Sequence, residues 1–499
     1  MEEWFQPHNL SYFLIITITI ILSCYLYCSY KLNYWKRRGV IQLKNTSRIF
    51  GDFKDGILFR TPPGYHMSQL YKEAPADAPY VGFYIFHKPC LLLKDPEIIK
   101  QMLIRDFDNF SNRHFAGSVQ KDSIGMINLF GIKNPAWRYL RRMITPTLSR
   151  GKLKQMLPLM IETGKPMMDH LDHLTDCKKP KVIDAQDVNY KYTADLISNV
   201  ALGTKTNCFN FPDSDYCKNI MAFFHSFKRM VALVTVFFTP ELVEMIGYSI
   251  LFDSTFVRKM FWNAVESREK SREKRGDYID SIINLKNGKQ DSLYKFDGDN
   301  LLFQSGTFFS GFESSSTAAA FTLMELAKEK NIQDRVREDI KRAIDKHGWT
   351  LEAFAKMRYL DQCISEGIRL HPSVSTVDRC TFEDYQIPNT DVVIEKGTPV
   401  YISLYGLHGD PQYFEEPEKF KPERFDNDRI VPDAYIPFGA GPRKCVGVQV
   451  GQLHVKVVLS MILSEYEVYL PKSAEVKLDN RSTFTAAAEG INLQFIKLS

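Results

Sequence analysis

The sequence predicts a mainly helical chain with a few short strands, set behind an N-terminal membrane-spanning helix. Three observations predict it. Residues 10–30 carry no charge over about the 20 residues that a bilayer-spanning helix needs. Apolar residues recur at helical spacing in long segments, above all 301–323 and 450–462. Strand character is confined to short stretches such as 80–95 and a hairpin tip near 481–485.

Length and composition set the outer bounds. A chain of 499 residues can bury a sizeable core. Its formal charge of +5 is mild and does not argue for a nucleic-acid partner. The nine cysteines form no paired framework, which fits a reducing compartment and a set of mostly buried free thiols.

The uncharged run 10–30 is preceded by Glu2 and Glu3 and followed by Lys31, Lys36, Arg37 and Arg38. Positive charge on the C-terminal flank predicts that the rest of the chain faces the cytoplasm. A cleaved signal peptide would have a basic start and a small-residue cleavage site, and neither is present. Tyr12, Tyr25, Tyr27, Tyr30 and Trp35 read as interface aromatics. The expected organisation is a luminal terminus over 1–9, the anchor over 10–30, a basic linker over 31–60 and a catalytic domain over 61–499.

Beyond the linker, residues 81–86 and 90–93 read as two strands flanking a turn at Lys88-Pro89. Asp95-Pro96-Glu97 reads as a helix start. Residues 107–130 are loop-rich and carry Phe107, Phe110, Phe115, Ile127 and Phe130. In Trp137-Arg138-Tyr139-Leu140-Arg141, Trp137 and Arg141 share one helical face, and both can donate to a carboxylate. Residues 220–262 are apolar and aromatic, including Phe223, Phe224, Phe227, Phe237, Phe238, Leu251 and Phe252, with Pro240 breaking the helix. The helix over 301–323 holds Ser310-Gly311-Phe312-Glu313-Ser314 in its middle, where Ser and Gly are poor helix formers and a functional kink is plausible. Glu366 and Arg369 lie three apart on one helix, and Arg424 follows about fifty residues on.

The stretch from Pro437 to Gly447 delivers one cysteine on a glycine-punctuated loop before a helix. A cysteine there is helped to ionise by the helix dipole, so Cys445 reads as a stabilised thiolate. Zinc would want a second Cys or His close by, and nucleophilic catalysis would want a base; the loop supplies neither. A single thiolate beside Arg443 suits an axial iron ligand with the arginine on a haem carboxylate.

The run Phe438-x-x-Gly441-x-Arg443-x-Cys445-x-Gly447 resembles the haem-binding loop of the cytochromes P-450. Other segments strengthen the resemblance. Trp137 and Arg141 resemble the residues that grip a haem propionate, and Asp378-Arg379 could bring a second arginine there. Ser310 to Ser314 resembles the acid–alcohol pair, although Ser stands where Ala or Gly usually precedes Gly311 and where Thr usually follows the acid. Glu366, Arg369 and Arg424 resemble the Glu–Arg–Arg network beneath the haem loop. Gly39-Val40-Ile41-Gln42 stands where a proline-rich hinge is usual. The phrasing of 35–40, 145–148 and 420–425 is similar to insect microsomal members of the xenobiotic-oxidising clan.

The resemblance implies a mainly α fold with small β-sheets, the cytochrome P-450 fold, holding haem b (iron protoporphyrin IX). It implies cofactor contacts from Trp137, Arg141, Gly311, Phe438, Arg443, Cys445 and Gly447, with Cys445 on the iron. It assigns proton relay to Glu313 and Ser314, and structure to Glu366, Arg369 and Arg424. The implied reaction inserts one oxygen atom from O2 into a small lipophilic substrate such as a xenobiotic, steroid or fatty acid. Electrons would come from an NADPH-dependent flavoprotein reductase meeting Arg138, Arg142 and Lys444, with room for cytochrome b5. The implied location is the endoplasmic reticulum membrane, with the catalytic domain in the cytoplasm. Two other readings stay open: a reductase-independent haem-thiolate isomerase or dehydratase, and a haem protein that binds ligands without turnover.

Overall fold

The computed structural model describes residues 7–44, 46–115, 128–175, 179–246, 255–426, 430–472 and 474–498. Glu2, Glu3, Ile127, Leu251 and Phe252 lie outside the described residues, as do the side chains of Phe223, Phe224, Ser310 and Phe312.

The chain opens with the helix Pro7–Lys31, whose described side chains are almost all exposed. The apolar span Tyr12–Lys31 lies outside the core and meets the rest of the chain through surface contacts such as Tyr25 with Arg48 and Tyr27 with His87, which is compatible with a membrane anchor. The basic stretch that follows is folded onto the domain rather than strung out from it. Trp35 is fully buried and, together with Tyr34, Val40 and Phe53, joins the core. Its indole Nε1 donates to the Phe83 carbonyl at 3.3 Å. Gly82 makes room, since a Cβ there would stand 2.3 Å from the Trp35 ring. Trp35 is therefore a core residue and not the interface aromatic its position beside the anchor suggested.

Nine strands form three small sheets among the described residues. They are β1 (Tyr80–Ile85), β2 (Lys88–Leu93), β3 (Lys181–Asp184), β4 (Thr376–Cys380), β5 (Tyr385–Gln386), β6 (Val393–Ile394), β7 (Pro399–Ser403), β8 (Tyr466–Tyr469) and β9 (Asn492–Lys497). The sheet orders are β1-β2-β7-β4, β3-β9-β8 and β5-β6. β1 and β2 pair antiparallel as expected, with Tyr84 opposite Pro89. The turn, however, is Phe86-His87, where Phe86 takes φ 53°. Pro89 is accommodated inside β2 because β7 pairs only with Leu91 to Leu93, so no ladder bond is lost there. Asp95 caps the next short helix, accepting the Ile98 N–H at 3.0 Å.

The remaining layers are helical. The central helix, Gly298–Lys328, runs through 31 residues and packs mainly on Ala185–Ala201, Arg358–Leu370 and Val448–Glu465. Its second half, rich in Ala318, Ala319, Ala320 and Leu323, is buried in the main helical core. Val448–Glu465 includes the periodic residues Leu453, Val457, Leu459 and Ile462, but it is buried on every side from Leu453 to Leu463 rather than along one stripe. The apolar stretch around 230 divides as Pro240 demands: one helix ends at Phe238 and the next begins at Pro240. Of the cysteines other than Cys445, Cys90, Cys208, Cys217 and Cys363 are buried free thiols, while Cys24 and Cys28 lie on the N-terminal helix.

Candidate active site

A cavity of about 420 Å³ lies between the central helix and the Pro437–Gly447 loop. Cys445, Phe438, Gly447, Gly311, Glu313, Ser314, Trp137, Arg141 and Arg443 all line it, so one space gathers every predicted catalytic and cofactor residue.

The loop is built by backbone geometry. Gly439 and Gly441 take φ 72° and 70°, where glycine avoids strain. A Cβ on Gly441 would also stand 2.0 Å from the Leu103 carbonyl oxygen, so the loop presses directly on neighbouring backbone. The Cys445 N–H donates to the Phe438 carbonyl at 2.9 Å and closes the turn. Cys445 keeps accessible surface, but that surface is cavity wall. Burial raises its thiol pKa, against a Gly447 backbone bond and the charges of Arg141, Arg113 and Lys444, which lower it. A metal cation bound at this thiol would favour its deprotonated form.

A cluster of buried cations borders this floor. Arg443 is buried and lies 4.3 Å from the Trp137 ring centroid. It donates to the carbonyls of Ser111, Phe130 (3.3 Å) and Ile132 (2.8 Å), which ties the cysteine loop to residues 111–132. Among the described residues these bonds commit three of its five donors. Arg141 donates to the Lys444 carbonyl at 2.8 Å from the same helical face as Trp137. Arg113 donates to Asp378 at 3.0 Å. Arg379 is fully buried; among the described residues its Nε and Nη2, the Arg113 Nε and the second Asp378 oxygen have no partner. Burial, then the charges of Arg113 and Arg379, push the Arg443 pKa down to about 8. Burial, then Arg113, brings Arg379 down to about 9. Arg113, Arg379 and Arg443 all interact with the Asp378 carboxylate, and with buried donors unmet among the described residues this cluster is a site built for further negative charge. Arg113 was not legible in the sequence, because nothing in its spacing separates it from an ordinary loop arginine.

On the opposite wall, Glu313 does not meet Ser314. Its Oε2 accepts from Arg229 Nη2 at 2.6 Å, in a pair whose side chains are 10% and 8% exposed. Ser314 Oγ instead faces the Gly311 carbonyl at a long 3.4 Å. A Cβ on Gly311 would meet nothing within 4 Å, so open space lies above it. The apolar walls come from Phe115, Phe130, Phe237 and Phe484, whose ring centroids stand 5.2 to 6.1 Å apart in edge contacts. Phe484 confirms that the hairpin tip at 481–485 reaches the cavity.

Beneath the loop, Arg369 holds Glu366 bidentately at 2.7 and 2.8 Å, with both side chains essentially out of water. Arg424 adds a bond to Glu366 at 3.1 Å, and the Lys421 N–H another at 2.9 Å. The three predicted clamp residues therefore meet.

The cytochrome P450 family model matches residues 55–495. The chain belongs to the cytochrome P450 family. It is 36% identical to cytochrome P450 6k1 of Blattella germanica, over 97% of each chain. It is 34% identical to probable cytochrome P450 6g2 of Drosophila melanogaster, covering 97% of this chain and 98% of that one. Against cytochrome P450 6j1 of Blattella germanica the identity is 32%, over 97% of each. Members of the P450 family are haem-dependent monooxygenases, and this chain shares their fold, cofactor and reaction class. The residues present fit haem. A lone cysteine faces the cavity, glycine leaves room over Gly311, and the arginine cluster matches a ligand carrying carboxylates.

Proposed function

We propose that this P450 is a membrane-anchored monooxygenase of small lipophilic substrates such as xenobiotics, steroids or fatty acids. The observation that carries the proposal is the cavity itself, whose lining brings together Cys445, Glu313, Ser314 and four phenylalanines. An apolar space of this kind selects for hydrophobic molecules with few polar groups.

In this reading Cys445 ligates the haem iron. Arg443, Arg141 and Trp137, joined by Arg113 from the same cavity wall, hold the propionates, while Phe438, Gly447 and Gly311 shape the faces of the pocket. Bound haem supplies oxygen activation, with thiolate donation favouring O–O cleavage. Glu313 and Ser314 move protons to the reacting side of the cavity. Glu366, Arg369 and Arg424 keep the cysteine loop in register. Electrons come from an NADPH-dependent flavoprotein reductase docking near Arg138, Arg142 and Lys444, and cytochrome b5 is a candidate second donor. The anchor over 10–30 holds residues 31–60 and the domain 61–499 on the cytoplasmic face of the endoplasmic reticulum, with 1–9 in the lumen.

The test has two parts. The reduced, carbon-monoxide-bound protein is expected to absorb at the wavelength particular to thiolate-ligated haem, and Cys445→Ala to abolish that band. Product formation from a lipophilic substrate is expected to require NADPH and reductase. A band that survives in the mutant would remove Cys445 as ligand, and full turnover without NADPH would favour an isomerase or dehydratase.

A further inference from the structure

The cavity wall at Phe484 is held from behind by residues outside the haem-binding and proton-relay sets. Phe484 sits at the hairpin tip and meets the Phe237 ring edge-on, 6.1 Å between centroids. Its backbone bridges that of Val374, and both residues line the cavity together with Ser373. The next residue, Thr485, is buried one layer further out.

Thr485 has its N–H, its carbonyl and its hydroxyl all engaged. The N–H donates to the Ser373 carbonyl at 3.1 Å. The carbonyl accepts the hydroxyl of Thr317, on the central helix, at 2.9 Å. The Thr485 hydroxyl donates to the Pro372 carbonyl at 2.6 Å. It has a single proton to give, so in its 2.7 Å contact with Tyr405 Oη the tyrosine is the donor. Ser373 Oγ donates in turn to the Ser314 carbonyl at 2.8 Å, and Ser375 Oγ to the Thr483 carbonyl at 3.1 Å. The tip is thereby fastened to the central helix, to the segment 372–375 and to the helix Leu404–His408, which carries Tyr405. An edge contact with Tyr65, 5.6 Å between centroids, sets the Tyr405 ring.

We propose that Tyr405, acting through Thr485, is a positioning residue that fixes where the Phe484 ring closes the cavity and so selects which carbon of a bound substrate is oxidised. With the adjacent residue held at its N–H, carbonyl and side chain, the Phe484 Cα cannot drift, and its rotamer and the Phe237 contact then place the ring. Removing the tyrosine hydroxyl strands a buried acceptor on Thr485 and loosens the tip while every lining side chain stays the same. A substrate can then present more than one carbon. This selection rests on the monooxygenase reading; the hub at Thr485 does not.

The experiment compares haem-loaded wild type, Tyr405→Phe, Thr485→Val, Thr485→Ser and the Tyr405→Phe/Thr485→Val double variant. Hydrogen exchange of amides 482–486 is read in the resting protein. Product ratios and total rate are read with reductase and NADPH on dodecanoic acid, testosterone and biphenyl, each of which offers several distinguishable carbons. Tyr405→Phe and Thr485→Val are each expected to speed exchange at the tip about fivefold, the net worth of one hydrogen bond. Both are expected to shift the ratio of major to minor product by about threefold or more while the total rate changes little. Thr485→Ser keeps the hydroxyl and is expected to keep the wild-type ratio. The double variant is expected to match Thr485→Val, because Tyr405 acts through that hydroxyl. Tip exchange unchanged in Tyr405→Phe, or a double variant that goes beyond Thr485→Val, would overturn the hub. A faster tip with wild-type ratios on every probe oxidised, whether or not the rate falls, would overturn the selection. If Thr485→Val does not take up haem, Tyr405→Phe against wild type and Thr485→Ser decides by the same outcomes. Wild type that oxidises none of the three probes would reject the monooxygenase reading while tip exchange still decides the hub, so the two failures are distinct.

Discussion

Arg369 donates to the backbone carbonyl of His408 at 2.8 Å, and through His408 the clamp reaches the cysteine loop. The His408 ring takes the Ile436 N–H on Nε2 at 3.2 Å. The Ile436 carbonyl takes the Gly439 N–H at 2.9 Å, and the Phe438 carbonyl takes that of Cys445. The ion pair at Glu366 is thus wired by hydrogen bonds to the backbone that presents the thiol.

Removing Arg369 should break this chain at its most buried point. Arg369→Ala removes the bidentate partner of buried Glu366 and leaves it Arg424 and the Lys421 N–H, a loss of up to roughly 3–5 kcal/mol. The expected result is little haem-loaded protein, read from the ratio of haem absorbance to protein. A soluble mutant with full haem content and wild-type denaturation would refute the clamp.

Two buried histidines predict acid sensitivity. Burial, then Arg369, lowers the His408 pKa to about 3, and burial alone takes His454 to about 3. As the pH falls through about 6.5 the unfolded chain binds protons that the folded protein refuses, so stability falls until the pH reaches the folded values. Each histidine contributes about 1.4 kcal/mol per pH unit over that window. Urea unfolding between pH 7 and 5 should show a steep decline, and His454→Leu should make it clearly shallower. An unchanged slope in that variant would take His454 out of the account.

The hydroxyl relay is the place where this chain departs from the family pattern. Among the described residues Ser314 Oγ makes a long 3.4 Å contact to the Gly311 carbonyl, and serine lacks the methyl that restricts χ1 in threonine. Ser314→Ala should keep haem and substrate binding while slowing product formation and diverting electrons to peroxide. A positioned proton carrier contributes on the order of a hundredfold. Ser314→Thr should raise the ratio of product to NADPH consumed. Coupling unaffected in the alanine variant would assign the proton to water or to a neighbouring hydroxyl such as Ser315.

Topology can be read with protease. The cluster Lys31, Lys36, Arg37 and Arg38 predicts that the domain beyond residue 31 is digested when protease is added to intact microsomes. Full protection would place the domain in the lumen.

Much of the site was legible because its chemistry is local. Positive φ at Gly439 and Gly441, the pairing of Glu366 with Arg369 one turn apart, and the shared face of Trp137 and Arg141 all follow from spacing within single elements. The anchor's length and the helical stripe after Gly447 are likewise properties of short windows of sequence.

The tertiary structure decided the partners and the cost of burial. Spacing cannot show that Arg443 reaches carbonyls more than three hundred residues away, or that Arg229 meets Glu313 across 84 residues. Trp35 reads as an interface aromatic beside the anchor, yet Gly82 leaves a slot on β1 that takes it into the core. Cys445 reads as a thiolate from its helix start, yet desolvation by the surrounding fold raises its pKa. Sequence specifies which groups an element presents. Which groups face them, and how far water is excluded, is set only when distant elements pack, and those two quantities govern charge inside a protein.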